Sequence, residues 1–173
     1  MEQASTAQPR VVPVDVLVSY GAFFLQDVGH FRPVQSVAER LGDDLVATGP
    51  GGAAFASAAP DHVASVRLEV WNEAPRDDTK EWEVSAERVL CCDSGRVQFW
   101  TTDSGPASEV IDLDGPGYYR LRVACRGRDA ARARFEEYMF SGIEQWRLQL
   151  WKTGPLDHEP QIGPRRGRRL STA

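Results

Sequence analysis

Every strongly apolar stretch in this 173-residue chain alternates apolar and polar residues with a period of two, and almost none repeats with the helical period. A strand sends successive side chains to opposite faces, so each such stretch buries one face and leaves the other in water. The rows expected to face inward are Val66, Leu68 and Val70; Trp82, Val84 and Ala86; Tyr119, Leu121, Val123 and Cys125; and Trp146, Leu148 and Leu150. The sequence therefore predicts an all-β protein, a two-layer antiparallel β-sandwich.

The order of these segments predicts one domain with polar ends. We expect a flexible leader over 1–10, a single β-sandwich domain over 11–153 and a flexible basic tail over 154–173. Turn signals divide the strands at the short intervals typical of sandwiches, and Asp114–Gly115–Pro116–Gly117 is a very strong one.

Two segments depart from the alternation. Residues 129–141 are rich in Ala, Arg and Glu, which predicts a helical or irregular excursion between the last two strands. The spacing of Val34, Val37 and Leu41 fits a short helix that ends near Gly42.

The charge is unevenly distributed along the chain. The formal net charge is −5, and four arginines near the end (Arg165, Arg166, Arg168 and Arg169) contribute +4, so the remainder carries −9. An acidic body repels nucleic acid and membrane surfaces and attracts basic partners. We therefore expect a basic protein partner, no direct binding of nucleic acid by the body, and no association with membranes.

Cysteine usage bears on the compartment. The chain has three cysteines, Cys91, Cys92 and Cys125, and two of them are neighbours, which disfavours a disulfide framework. Residues 1–10 are polar and lack the apolar core of an export signal. These features predict a cytoplasmic protein whose thiols are reduced and packed.

The sequence offers no recognisable catalytic constellation. Its three histidines, His30, His62 and His158, fall in expected loops and in the tail, away from any nucleophile motif. The glycines of 49–52 lack the Lys–Ser/Thr of a phosphate-binding loop. We therefore expect a protein that is not an enzyme and that uses no cofactor.

Two pairs of loop carboxylates raise the question of a metal. Neither Asp43–Asp44 nor Asp77–Asp78 has the alternating spacing that surrounds a calcium ion, and turn-forming Asp explains both. We expect no metal site here. A calcium- or carbohydrate-binding sandwich nevertheless stays open as an alternative, since aromatic rings such as Trp71 and Trp151 stack well on sugars.

Three tryptophans fall out of phase with the apolar rows of their own strands: Trp71, Trp100 and Trp151. Exposed tryptophans mark interfaces, so these residues predict an interaction patch. The alternative is that both faces of one sheet are covered, for example by the 129–141 excursion.

A family resemblance extends over most of 14–152. The stretches that carry it are Val18–Ser19–Tyr20 with Phe23; Gly51–Gly52–Ala53–Ala54–Phe55 leading into Ser65–Val66–Arg67–Leu68; Val110–Ile111–Asp112–Leu113 with Gly115-x-Gly117–Tyr118–Tyr119–Arg120–Leu121; and the closing strand Trp146–Trp151. This order resembles the competence-protein-J-like nuclease inhibitors, which are small intracellular β-sandwich proteins. The resemblance implies a protein that blocks a DNA-degrading enzyme by binding it.

An acidic inhibitor suits such a target, because a site that accepts phosphates is basic or metal-bearing. Loop position and charge make these residues the candidate partner contacts: Asp43, Asp44, Trp71, Glu73, Asp77 and Asp78. An accessory role without a defined ligand stays open as a further alternative.

Overall fold

The structure is a computed structural model that describes residues 7–30 and 34–161. In chain order the strands are β1 (Arg10–Val18), β2 (Ala22–Asp27), β3 (Val46–Gly49), β4 (Gly52–Ala56), β5 (His62–Trp71), β6 (Val84–Cys92), β7 (Arg96–Thr101), β8 (Gly105–Pro106), β9 (Ile111–Asp112), β10 (Gly117–Arg126) and β11 (Ser141–Gly154). One α-helix, α1 (Arg128–Ala133), and two 3-10 helices, Val34–Arg40 and Thr79–Glu81, complete the described elements.

The strands form two sheets, which confirms the predicted β-sandwich. The five-stranded sheet has the order β1-β5-β11-β10-β6, and the six-stranded sheet runs β3-β4-β2-β7-β8 with β9 also paired to β7. One pair differs from the antiparallel prediction, because β11 runs parallel to β5. β11 lies between β10 and β5, antiparallel to the first and parallel to the second.

The core between the sheets is built from the alternating rows. Leu121 and Val123 of β10 and Leu148 and Leu150 of β11 are fully buried, as the alternation predicts. Phe23 lies at the centre, stacked on Phe55 with ring centroids 4.8 Å apart. Burial of such side chains is the main stabilising term for a sandwich of this size.

The predicted inward row at the start of β6 is wrong in part. Trp82 precedes the strand and lies outside the core cluster, and Val84 is 37% exposed. Leu90 and Cys92 supply the burial of β6 instead. β6 is an edge strand, and Val84 faces an open groove of about 300 Å³ at the margin of the sandwich.

A second, smaller apolar cluster covers the outer face of the six-stranded sheet. Val34 and Val37 of the first 3-10 helix, together with Leu41, pack on Phe24, and Trp100 packs against this cluster. The predicted short helix over 34–41 is confirmed by this element. It also explains why Trp100 lies out of phase with its own strand.

The excursion after β10 begins with a helix and continues without regular structure. Gly127 starts it with a φ of 82°, and an added Cβ would come within 2.1 Å of the Ile143 carbonyl oxygen, so only glycine fits this turn. Residues 128–133 are the helix α1, and residues 134–139 are turns and bends. Both halves of the prediction, helical and irregular, are thus found in one segment.

The ends of the chain are partly described. Gly154 belongs to β11, and Asp157 and His158 make contacts with the body of the domain. The four tail arginines lie outside the described residues, so the predicted domain boundaries stay predictions. Among the described residues no helix is long and apolar enough to cross a membrane.

Candidate functional site

The predicted contact residues lie in two places. Asp43 and Asp44 are exposed in the turn before β3, where an Asp44 carboxylate oxygen lies 3.4 Å from an Arg88 guanidinium nitrogen. Of the other four, Trp71 is the last residue of β5, and Glu73, Asp77 and Asp78 lie in the connection 72–81, which leads towards β6.

The connection 72–81 is held against the outer face of the five-stranded sheet. Arg122 donates to the carbonyl oxygens of Pro75 and Arg76 at 3.2 and 3.3 Å. Arg147, which is 8% exposed, donates through both terminal nitrogens to the Asp78 carboxylate at 2.5 and 2.8 Å. This bidentate bond holds the pKa of Asp78 below its usual range. Asp78 is therefore engaged inside the protein.

Glu69 is the centre of a second polar cluster on the same face. Its carboxylate accepts hydrogen bonds from Arg67 at 2.8 Å, Trp71 at 2.8 Å and Gln149 at 2.9 Å. Burial alone raises the pKa of Glu69, but these three donors outweigh it and the net pKa is lowered. Trp71 is accordingly half-buried with its indole nitrogen satisfied, while Glu73 and Asp77 stay exposed.

The outward tryptophans are covered by arginines. The Arg122 guanidinium lies 4.9 Å from the centre of the Trp151 ring, and Trp151 is only 8% exposed. The guanidinium groups of Arg126 and Arg147 lie 4.8 and 4.9 Å from the centre of the Trp82 ring. Cation–π contacts and the 72–81 connection, and not the 129–141 excursion, therefore cover Trp151, while a groove of about 480 Å³ stays open on this face beside Trp82. Trp151 has no open ring for a sugar, which disfavours the carbohydrate alternative.

An open apolar surface lies on the excursion instead. Tyr138 is 90% exposed, Phe135 61% and Met139 37%, three large apolar side chains within five residues. Glu136 and Glu137 are exposed between them. A cluster of exposed aromatic and methionine side chains beside carboxylates is typical of a protein-binding surface.

Buried charged groups anchor the base of the excursion. Arg128 donates to the Ala56 carbonyl oxygen at 2.9 Å, and its guanidinium lies 3.7 Å from the carboxylate of the fully buried Glu144. Glu144 also accepts from the Ala58 backbone at 2.9 Å and from the Trp146 indole at 2.7 Å. The excursion is thus fixed to both sheets at its base while its tip stays open.

The rings of His62 and Phe140 stack at the base of the excursion. His62 is fully buried, and its ring lies 4.8 Å from that of Phe140, nearly parallel to it. Burial lowers the pKa of His62, so the neutral imidazole stacks and bonds to the Ser57 hydroxyl at 2.7 Å.

Sequence reasoning missed these anchors, although a signal was present. His62 precedes Ala64 by two residues, and Glu144 precedes Trp146 by two, so both occupy inward rows of their strands. A titratable side chain in an inward row needs a buried partner.

The turn with Asp43 and Asp44 lies beside this base. Both residues line the groove of about 300 Å³ that also contains Val84 and Arg128. Asp43 and Asp44 therefore share this groove with Arg128, the first residue of α1. We call Asp43, Asp44, Val84, Arg128 and residues 134–139 the excursion edge.

One group of side chains at the opposite margin has metal-ligand character. Cys91, Asp93 and His158 place one ligand atom each within 4.8 Å of one another. Within 7–30 and 34–161 no second group of three His, Cys, Asp or Glu side chains lies this close together.

The thiols are protonated in this environment. Burial, together with neighbouring carboxylates, raises the pKa of Cys91 to about 11, and burial raises that of Cys92 to about 12. A nucleophilic cysteine needs a lowered pKa. The geometry therefore gives no support to a cysteine-based enzyme.

No family model and no curated protein matches the chain. Among solved structures, ComJ from Bacillus subtilis, an inhibitor of the DNA-degrading activity of NucA, aligns with 85% of this chain over 100% of its own, with a TM-score of 0.58 and 14% identity. The chain shares the fold of ComJ.

A second solved structure, described as crocagin biosynthetic gene J, aligns with 83% of this chain over 97% of its own, with a TM-score of 0.57 and 17% identity. At these identities the similarity concerns the fold. The resemblance drawn from the order of strands is thus confirmed at that level, and one protein with this architecture, ComJ, is an inhibitor.

Proposed function

We propose that this protein is a non-catalytic, inhibitor-type binding protein, and that it docks on a basic protein partner, a nuclease, through the excursion edge. The observation that carries the proposal is the exposure of Phe135, Tyr138 and Met139 at the tip of an excursion whose base is rigidly anchored. Water-exposed aromatic side chains on a fixed support are the usual anchors of protein interfaces.

Charge supports the nature of the partner. Glu136 and Glu137 lie between Phe135 and Tyr138, and Asp43 and Asp44 lie in the groove at the base. Against the two guanidinium groups of Arg128 and Arg134, these four carboxylates leave the excursion edge with a formal net charge of −2. Carboxylates arranged around an apolar centre steer a basic partner and select against acidic ones. The active site of a nuclease, which receives phosphates, has this complementary charge.

The fold supports the mode of action. ComJ has the same architecture and is an inhibitor of a DNA-degrading activity. We infer by analogy that binding at the excursion edge blocks access of DNA to the partner's active site, with no chemical step by this protein. Glu73 and Asp77, which are exposed on the 72–81 connection, are secondary candidate contacts.

The proposal is tested by nuclease inhibition. The purified chain is titrated into DNA-degradation assays of NucA and of the nucleases encoded in its own genome, and complexes are measured by calorimetry. We expect stoichiometric inhibition of at least one nuclease, with an association rate that falls as salt rises. Absence of both binding and inhibition across this panel would refute the proposal.

A variant pair locates the surface. Phe135→Ala with Tyr138→Ala removes the two aromatic anchors, and each hot-spot truncation costs at least about 2 kcal/mol of binding. We therefore expect at least about a hundredfold weaker inhibition from the double variant. The matched control is Val89→Ala with Val110→Ala, because both side chains are exposed and lie outside the excursion edge. Equal loss in both variants would place the contact outside the excursion edge.

A further inference from the structure

A compact set of side chains lies at the other margin of the sandwich, remote in sequence from the excursion. Cys91 is at the end of β6, Asp93 is in the turn to β7, and His158 is in the segment that follows β11. Three separate parts of the chain thus bring a thiol, a carboxylate and an imidazole together.

The distances suit a metal ion. His158 Nε2 lies 2.8 Å from Asp93 Oδ1, Cys91 Sγ lies 3.9 Å from that same oxygen, and all three ligand atoms fall within 4.8 Å. Around a tetrahedral ion with bonds of about 2.0–2.3 Å, ligand atoms are separated by about 3–4 Å. An ion fits when the His158 ring moves away from Asp93, so that the 2.8 Å pair widens to this range.

The support behind the imidazole is that of a metal-bound histidine. His158 Nδ1 lies 3.0 Å from Asp157 Oδ1, and the Tyr118 hydroxyl donates to the same carboxylate oxygen at 2.5 Å. Metal-ligating histidines almost always bond a carboxylate or carbonyl through the second ring nitrogen, which leaves the first to face the ion. Here Nε2 is the nitrogen that faces Cys91 and Asp93.

The local charge is negative. Asp27, 2% exposed, lies behind Asp93 and accepts hydrogen bonds from the Asp93 and Ser94 backbones at 2.7 and 3.2 Å. Within the described part of the chain, no Lys or Arg pairs with Asp27, Asp93 or Asp157, and none lines the adjoining pocket of about 290 Å³. His158 bridges Asp93 and Asp157, and a dication at its Nε2 would compensate the charge that Asp27, Asp93 and Asp157 concentrate here.

We propose that Cys91, Asp93 and His158 form a binding site for a divalent transition-metal ion of the zinc class. A thiolate, an imidazole and a carboxylate together select a borderline-soft ion over Mg²⁺ or Ca²⁺, which prefer oxygen ligands alone. The thiol proton of Cys91 and the Nε2 proton that His158 shares with Asp93 are both released to solvent as the ion binds. The pocket beside the three ligands leaves the fourth position to water.

Such an ion would fasten the segment after β11 to the β6–β7 turn. His158 is the ligand from that segment, so loss of the ion would release it from the margin of the sandwich. This inference does not depend on the proposed function, because its three ligands lie outside the excursion edge.

The test uses Co²⁺ as a spectroscopic probe on the metal-free full chain. We expect one equivalent to bind and to give the thiolate-to-cobalt charge-transfer band and the intense visible bands of a tetrahedral site. Zn²⁺ in excess should remove these bands, and it should raise the melting temperature by mass action.

Variants assign the ligands. Cys91→Ser should abolish the charge-transfer band although Cys92 and Cys125 remain, and His158→Gln and Asp93→Asn should weaken binding at least a hundredfold. Asp157→Asn, which alters only the support of His158, should weaken it about 10–100-fold. Asp103→Asn, an exposed carboxylate beyond the site, is the control and should bind as the parent does.

No cobalt bands and no zinc-dependent change in melting temperature would overturn the proposal, as would a charge-transfer band that persists in a folded Cys91→Ser variant. Far-UV circular dichroism of each variant verifies folding. A variant that fails to fold is replaced by alkylation of Cys91, the least buried of the three thiols, in the parent protein.

Discussion

At the scale of single residues, pairing decides which charged side chains are available to a partner. Asp77 and Asp78 are neighbours, and sequence reasoning treats them alike. In the structure Asp77 is exposed, and it caps the next turn by accepting from the Thr79 backbone at 3.0 Å. Asp78 instead neutralises the buried Arg147. A carboxylate with such a partner stabilises the fold more than it recognises another molecule.

The Asp78–Arg147 pair gives stability that depends on pH. The pKa of Asp78 is lowered from 3.8, mainly by its hydrogen bonds from Arg147. A carboxyl with a depressed pKa stabilises fully above its unfolded pKa, and this stabilisation is lost as pH falls through the folded value. Asp78→Asn should therefore cost about 1–3 kcal/mol of unfolding free energy at pH 7.

Below about pH 4 this difference between the parent and Asp78→Asn should shrink. Urea unfolding between pH 7 and pH 3 measures it. Asp103→Asn, at an exposed position, should differ little from the parent at any pH. A cost for Asp78→Asn that stays constant down to pH 3 would contradict the assignment.

At the scale of elements, the excursion combines a fixed base with an open tip. α1 has only six residues, too few to be stable alone. Its position is fixed by Arg128, which reaches the Ala56 carbonyl and Glu144, and by Phe140 on His62. An anchored loop loses little conformational entropy on binding, which suits an interaction element.

Removal of the Arg128 side chain should loosen this element. Arg128→Ala leaves the buried Glu144 carboxylate without its guanidinium partner, and an uncompensated buried charge costs about 3–5 kcal/mol. We expect a lower melting temperature and faster trypsin cleavage at Arg132 and Arg134.

Arg132→Ala is the matched control, because the Arg132 guanidinium is exposed and pairs with the exposed carboxylate of Asp129. Its cost should stay below about 1 kcal/mol. Similar cleavage rates at Arg134 in the two variants would show that Arg128 is not the anchor.

At the scale of the whole molecule, the two layers are held by the apolar rows between them. Leu148 lies on β11, between β5 and β10, and is fully buried. Its neighbours across the sheet are Leu68 and Val123. Truncation at this position leaves a cavity that neither flanking strand can fill without losing its own pairing.

Leu148→Ala should cost about 2–5 kcal/mol of unfolding free energy. Thermal unfolding followed by circular dichroism measures this cost, at about 2–4 °C per kcal/mol for a chain of this size. Val89→Ala, at an edge position that is 48% exposed, serves as the control and should cost under about 0.5 kcal/mol. A cost below that figure for Leu148→Ala would mean that the strand phase is wrong.

The sequence by itself determined the strands, their inward faces and the two-layer architecture. Side chains alternate along a strand because of local backbone geometry, so rows such as Leu121–Val123 and Leu148–Leu150 can be assigned without knowledge of their neighbours. The edge position of β6 was beyond this reasoning, and its first inward residue, Val84, was accordingly misassigned.

Only the tertiary structure decided which polar groups meet. Asp78 finds Arg147, Arg128 finds Glu144, and His158 joins Asp93 and Cys91, all across long separations in the chain. Such pairings depend on sheet order and on the course of the loops, which period-two patterning does not encode. The open tip of the excursion likewise became visible as a surface only once its base was seen to be anchored.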